Sequence, residues 1–272
     1  MKYIKKALHL NIADFIIRII FIKKTKHLNF LSYLKKRIIK KYSAFIIKNE
    51  NYINKNYDFL IKIEEKNEIG FFKKKGLYFF NLFYLYNKST IITFSTISIY
   101  QFEMIIKYII SRFINKNKLF IVHCSAILKN DGIIIFLGKS GAGKSTIVKI
   151  LKKKFVPIVD DVGLIRKKGN NYYFYQTPYT EKNKYPIHQK KWRIKKIFFI
   201  KKTKSKQKSV VNKLQILKKD RKLINYLKNQ IITSRDKKNL INFLIKYAND
   251  FYFLHLSLKD KNNIYNLISD LK

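Results

Sequence analysis

The chain is poor in glycine, proline, cysteine and acidic residues. Its 272 residues include 8 glycines, 3 prolines and 1 cysteine. A single cysteine, Cys124, excludes a disulfide framework and a cysteine-based zinc site, and it fits a reducing compartment. No charge-free run reaches the ~20 residues that a membrane helix needs, and the basic start Met1–Lys6 is not followed by a leader-type cleavage site. We therefore expect a soluble, cytoplasmic protein without a membrane span.

Basic residues far outnumber acidic ones. Lys and Arg total 59 against 16 Asp and Glu, which gives a formal net charge of +43. The abundant residue types (lysine, isoleucine, asparagine, tyrosine and phenylalanine) share AT-rich codons, so a biased base composition explains the charge most simply. A positive surface also attracts nucleic acid or an anionic membrane. Nucleic-acid binders favour arginine for bidentate contacts, and arginine is scarce here, so nucleic acid is not the expected partner.

The pattern changes near residue 116, which predicts two parts within a mixed α/β fold. Residues 1–115 are predicted to form a smaller β-rich lobe of unknown role, and residues 116–272 a second, larger domain. The predicted strands are Asn11–Ile22, Tyr57–Glu64, Gly76–Tyr86, Ser89–Thr96, Leu119–Leu128, Ile133–Leu137, Phe155–Val159, Tyr172–Tyr175, Arg193–Ile200 and Phe251–Leu256. The predicted helices are Leu31–Phe45, Ile99–Asn115, Lys144–Lys154, Asp220–Asn229, Asp236–Ala248 and Lys261–Leu271.

A glycine-rich loop follows the second of two apolar strands in the second part. It fits the phosphate-loop pattern G-x-x-x-x-G-K-[ST] and extends into the next helix as Gly138, Lys139, Ser140, Gly141, Ala142, Gly143, Lys144, Ser145 and Thr146. Gly141 and Gly143 let backbone N–H groups point at phosphate oxygens, and the following helix adds its positive end. Lys144 reaches the β- and γ-phosphates, and the Ser145 hydroxyl can ligate Mg²⁺. This motif predicts nucleotide binding without distinguishing a kinase, an ATPase or a GTPase.

Two adjacent carboxylates and one histidine complete the candidate site. The strand Phe155–Val159 ends in Asp160 and Asp161. Neighbouring side chains on an extended segment point to opposite sides, so one carboxylate can face a metal and the other an acceptor hydroxyl. An ordinary aspartate-rich turn is the alternative. His123 lies on the strand before the phosphate-loop strand, where a lone histidine is more often a core residue.

Taken together, His123–Ile127, the phosphate loop and Val159–Asp161 resemble the HPr kinase/phosphorylase family, in particular its small HPr-kinase-like members. The resemblance implies that residues 116–272 form an HPr-kinase-like ATP-binding domain with a core like that of phosphoenolpyruvate carboxykinase, and that ATP and Mg²⁺ are the cofactors. It further implies that Ser145 and Asp160 hold the metal, that Asp161 is the base for a serine-type hydroxyl, and that His123 tunes that base. Lys144 would contact the transferred phosphate. Arg166 and Arg193 are candidates for a further phosphate contact.

Three hypotheses about function follow. The first is a Mg·ATP-dependent kinase acting on a hydroxyl of a protein or small molecule. The second is a non-catalytic ATP-binding accessory or regulatory module, and the third is a nucleic-acid-associated ATPase. An ABC-type ATPase is not expected, because the chain has no Leu-Ser-Gly-Gly-Gln signature. The expected partners are a nucleotide, an unidentified hydroxyl-bearing acceptor and, by the same resemblance, further copies of the chain.

Overall fold

The computed structural model describes residues 2–3, 7–23, 29–48, 56–65, 71–74, 77–116, 119–179, 185–188, 190–202, 210–213, 231–233, 251–256 and 261–269. The chain divides into two compact units, Met1–Arg112 and Phe113–Lys272. Within the described stretches no helix is both long enough and apolar enough to cross a membrane.

The first unit is built around a six-stranded sheet. Its elements are β1 (Lys2–Tyr3), β2 (Leu8–Ile12), β3 (Phe15–Lys23), α1 (Asn29–Lys41), a 3₁₀ turn (Ser43–Phe45), β4 (Phe59–Glu64), β5 (Phe71–Lys74), β6 (Leu77–Phe80), β7 (Tyr84–Asn87), β8 (Thr90–Phe94) and α2 (Ile99–Lys116), whose last turn passes into the second unit. The strand order is β1-β3-β4-β8-β7, with β2 pairing β3, and β3, β4 and β8 run parallel. Parallel strands are typically buried on both faces, and β3 and β4 are rich in isoleucine and phenylalanine for that reason.

Two of the predicted strands in the first unit are each divided. The predicted strand Asn11–Ile22 is a hairpin in which Ala13 and Asp14 form the turn, with φ of 51° and 62°. Such a turn usually contains Asn-Gly or Asp-Gly because both central residues need positive φ, so Ala-Asp did not indicate a turn here. The predicted strand Gly76–Tyr86 is likewise two strands, β6 and β7, and they belong to different sheets.

The second unit carries a nine-stranded sheet and the phosphate loop. Its elements are β9 (Leu119–Lys129), β10 (Gly132–Leu137), α3 (Lys144–Leu151), β11 (Val156–Val159), β12 (Val162–Lys168), β13 (Asn171–Gln176), β14 (Trp192–Lys202), β15 (Val210–Lys213), β16 (Ile231–Thr233), β17 (Phe251–Leu256) and α4 (Lys261–Ser269). The predicted helices Asp220–Asn229 and Asp236–Ala248 lie outside the described residues. The mixed α/β class is confirmed, whereas the carboxykinase-like form of the core stays a prediction.

Five strands of the second unit pair in a closed ring. β10 pairs antiparallel with β9 and parallel with β14, and the circuit is completed through β12 and β13. Alternate side chains of these strands fill the interior, among them Cys124, Phe174 and Trp192. On the outside, α3 and α4 pack over Phe136 and Phe198. The ring therefore fixes the strands that flank the phosphate loop.

Sequence patterns missed one strand of this ring, β12. Its glycine and its basic run, Arg166–Lys168, are unlike the apolar stretches that predict strands. Gly163 is needed there because a Cβ atom would lie 2.4 Å from the Phe174 ring. The strand is thus specified by packing across the ring, which a local pattern does not report.

Candidate ATP site

The phosphate loop has the backbone geometry that a bound phosphate needs. It leaves β10 at Gly138 and ends at Gly143, which caps α3 in a left-handed conformation with φ of 105°. Gly143 has no side chain to accept from the first N–H groups of α3, which therefore remain available to an anion. Gly141 also has positive φ, 75°, and nothing lies within 4 Å of where its Cβ would be. The loop thus fits a phosphate group closely approaching its backbone.

Lys144 lies buried at the start of α3 and faces the loop. Its ammonium donates to the carbonyl oxygens of Gly138 at 2.7 Å and Lys139 at 3.2 Å. Burial lowers the pKa of Lys144, while Cys124 and the carboxylates of Asp161 and Asp160 act in the opposite direction. The lysine therefore already lies in the field of both aspartates. The remaining loop residues divide between exposed Lys139 and Ser140 and half-buried Ala142, Ser145 and Thr146.

Asp160 is held at the end of β11 by a buried hydroxyl. The Ser125 hydroxyl donates to Asp160 Oδ1 at 2.8 Å. Asp160 is 6% exposed and Ser125 0%, so this carboxylate has a fixed orientation in a largely dry environment. Carboxylates that ligate metals are commonly oriented by such a hydrogen bond. Ser125 lies within the run that suggested a family, but no sequence pattern indicated its role.

Asp161 has a different partner from Asp160. Its Oδ1 lies 3.1 Å from His123 Nδ1, and the two side chains are 39% and 35% exposed. Its backbone carbonyl accepts from the N–H of Cys124 at 3.0 Å. His123 is therefore not a core histidine but half of an accessible acid–base pair.

Strand register explains why these groups meet. On β9, Cys124 pairs with Leu137, the last residue before the phosphate loop. On the opposite side of β9, His123 pairs with Val162, the residue after Asp161. Because adjacent strands lie about 4.8 Å apart, the phosphate loop and the aspartate pair are separated by the width of β9 alone. The chain thus brings together Lys144, the two aspartates and His123.

The two arginines considered for phosphate contact lie on the ring rather than at the loop. Both are in register with Tyr173, which pairs with Arg166 on β12 and with Arg193 on β14. Arg193 also lies opposite Gly132, at the start of β10 and therefore at the end away from the phosphate loop. The prediction that Arg193 contacts phosphate is wrong, because the length of β10 separates Arg193 from the phosphate loop.

Comparison with protein families identifies a different relative from the one expected. Residues 122–247 match the family model described as ABC transporter, a match that covers less than half of the chain. No curated protein matches the chain. The resemblance to HPr kinase/phosphorylase is therefore wrong. A strand, phosphate loop and helix recur in many nucleotide-binding families, so these residues predicted the ligand correctly and the family incorrectly. An ABC-type ATPase was not expected because the chain has no Leu-Ser-Gly-Gly-Gln signature, and the match to the ABC transporter model corrects that expectation.

The cofactors are ATP and Mg²⁺. The residues present fit both, since the loop offers N–H groups and an ammonium to the phosphates. Among the residues that the structure describes, no three His, Cys, Asp or Glu side chains form a metal centre.

Proposed function

We propose that this chain is an ATPase whose catalytic site lies in the domain predicted over residues 116–272. The observation that carries the proposal is the His123–Asp161 pair, which is accessible and lies one strand away from the phosphate loop. ATP binding alone requires the loop but no acid–base pair beside it. The match to the ABC transporter family over residues 122–247 supports ATP hydrolysis in preference to phosphorylation of a hydroxyl.

Each side chain has a role in this proposal. The loop N–H groups and Lys144 bind the phosphates and stabilise the charge that develops on them. Ser145 and Asp160 would hold Mg²⁺, which would neutralise part of the phosphate charge when bound. With its proton on Nδ1, His123 donates to Asp161, which leaves Nε2 to accept a proton. Asp161 orients the imidazole and stabilises its charged form, as carboxylates do in other histidine-dependent sites.

The step is the transfer of the γ-phosphoryl group to water. The water oxygen forms a bond to the γ-phosphorus while the bond to the β–γ bridging oxygen breaks. ADP leaves with the electron pair of that bond, and the water proton passes to His123 or directly to Asp161. The products are ADP, inorganic phosphate and a proton.

Phosphoryl transfer to a hydroxyl remains the second candidate, and one observation favours it. More than a third of each of the His123 and Asp161 side chains is exposed, so an acceptor larger than water can reach the pair. The same residues would then take the proton of the acceptor hydroxyl. A non-catalytic ATP-binding module is the third candidate, and it makes no use of the pair.

Phosphate and ADP release from Mg·ATP tests the proposal. We would compare the unaltered chain with Lys144→Ala, Asp161→Asn and, as a matched control, Lys149→Ala, an exposed lysine on the same helix. We expect Lys144→Ala to lose ATP affinity and Asp161→Asn to keep affinity while losing about 10²–10⁴-fold in turnover, the usual contribution of general acid–base groups. Turnover that survives Asp161→Asn would refute the role of the pair. Release that appears only with an added hydroxyl compound would favour the kinase.

A further inference from the structure

Two buried polar side chains at the end of β13 bracket the aspartate pair. Gln176 Nε2 donates to the carbonyl oxygen of Ile158 at 2.8 Å, and Thr177 Oγ1 donates to that of Val162 at 3.2 Å. Ile158 lies two residues before Asp160, and Val162 follows Asp161 directly. Gln176 and Thr177 are 4% and 3% exposed, so neither bond is weakened by competing water. Together these bonds fix both ends of the segment that carries the carboxylates.

This segment needs such support because strand pairing is interrupted there. β11 and β12 both pair with β9, and the register of β11 shifts between Pro157 and Val159. Between the two strands, the Cys124 N–H donates to the Asp161 carbonyl oxygen and so ties the segment to β9. Irregularities of this kind next to active sites re-aim side chains, but they also remove ladder bonds that would hold the backbone.

Gln176 also ties a second segment to the same place. Its Nε2 donates to the carbonyl oxygen of Pro186 at 2.9 Å, and its Oε1 accepts from the N–H of His188 at 2.7 Å. Pro186 and His188 are exposed, whereas the amide that joins them to Ile158 is buried. A buried amide is costly unless its groups are paired, so the positions of these segments are interdependent.

We propose that Gln176 and Thr177 are positioning residues that set the metal-holding geometry of Asp160. The inference rests on the proposed function, in which Asp160 is a ligand of Mg²⁺. Neither residue touches the nucleotide or the metal in this account. They act through the backbone on either side of the carboxylate, as outer-shell groups do at other metal sites.

Mn²⁺ binding in the presence of a non-hydrolysable ATP analogue, followed by electron paramagnetic resonance, tests this inference. Thr177→Val keeps the size of the side chain and removes the donor, while Thr177→Ser keeps the hydroxyl. We expect Thr177→Val to weaken Mn²⁺ binding about 10-fold, the lower end of outer-shell effects, and to raise the Mg²⁺ concentration for half-maximal turnover in step. Affinity for the nucleotide without metal should stay unchanged, and Thr177→Ser should bind Mn²⁺ nearly as the unaltered chain does.

Thr93→Val is the matched control for general destabilisation. Thr93 is 0% exposed and its hydroxyl donates to the Leu82 carbonyl at 2.7 Å, but it lies in the first unit. A lowered melting temperature in both Thr93→Val and Thr177→Val would report general destabilisation. Weaker Mn²⁺ binding in Thr177→Val alone would report an effect on the metal site. Where Thr177→Val does not fold, Gln176→Met in the same assay removes the other anchor and carries the same expectation.

Asp160→Asn distinguishes failure of this inference from failure of the proposed function. Normal Mn²⁺ binding by Thr177→Val, together with lost binding by Asp160→Asn, would overturn the positioning role and leave the ATPase proposal intact. Normal binding by Asp160→Asn would overturn this inference together with the metal role assigned to Asp160, because the carboxylate would not be a ligand, while the ATPase proposal is tested separately by Asp161→Asn.

Discussion

Removal of the Ser125 hydroxyl is the change whose consequence the structure defines most clearly. In Ser125→Ala the buried Asp160 carboxylate loses the 2.8 Å hydrogen bond to its Oδ1. Hydrogen bonds to charged groups contribute about 1.5–3 kcal/mol. We therefore expect the free energy of unfolding to fall by about 1.5–3 kcal/mol, with no void of consequence because only one oxygen atom is removed.

The assay for Ser125→Ala is chemical denaturation without nucleotide, and then with Mg·ATP. Ser111→Ala is the control, since the Ser111 hydroxyl donates at 2.6 Å to the neutral carbonyl of Tyr108 in α2 and should cost about 1 kcal/mol or less. Mg·ATP should stabilise Ser125→Ala less than it stabilises the unaltered chain, because a carboxylate that is no longer oriented binds Mg²⁺ less tightly. An effect of Ser125→Ala no larger than that of Ser111→Ala, and insensitive to Mg·ATP, would refute the view that this hydroxyl orients a metal ligand.

Two further predictions concern stability. Burial, and to a smaller extent Arg18 across the hairpin, lowers the pKa of His9 from 6.5. Because the folded chain then binds fewer protons than the unfolded chain, the free energy of unfolding should decline as pH falls below about 6.5. Melting curves at pH 7.5 and 5.5 should show a smaller decline in His9→Leu than in the unaltered chain. Gly163→Ala should cost about 1–3 kcal/mol in chemical denaturation because its Cβ would overlap the Phe174 ring, 2.4 Å away. Adding Phe174→Leu should make Gly163→Ala less costly than it is alone, and a purely additive double variant would contradict the assigned overlap.

The phosphate loop could be predicted from the sequence because its chemistry is local. Its spacing, the apolar strand before it and the helix after it all lie within one short segment, and the structure confirms each of them. The aspartate pair was also identified, since two adjacent carboxylates are conspicuous in a chain with so few acidic residues. The two side chains diverge, Asp160 to Ser125 and Asp161 to His123, at a bend between β11 and β12.

What could not be predicted depends on pairing between distant segments. Closure of the ring through β10 and β14 and the position of Arg193 at its far end are set by register, which no periodicity records. Ser125, Gln176 and Thr177 are buried polar residues whose partners are a carboxylate and backbone carbonyls far along the chain. Such residues form no spacing motif, so their roles become visible only when the strands are assembled.

The family was the least predictable feature. The residues that suggested HPr kinase were chiefly those that we propose bind phosphate and metal, and such chemistry is shared by unrelated families. The match over residues 122–247 includes a long segment beyond β14, in which the sequence analysis recognised no motif. Local chemistry therefore specified the ligand, and the longer pattern was needed to indicate the family.

A single-turnover experiment with excess protein and ATP labelled in its γ-phosphate tests the central claim most directly. With Mg²⁺ and no added acceptor, we predict that the label appears in inorganic phosphate, and that His123→Asn slows this step about 10²-fold or more while ATP still binds. Bound ATP that keeps its label throughout would contradict the ATPase proposal and leave only the binding of Mg·ATP.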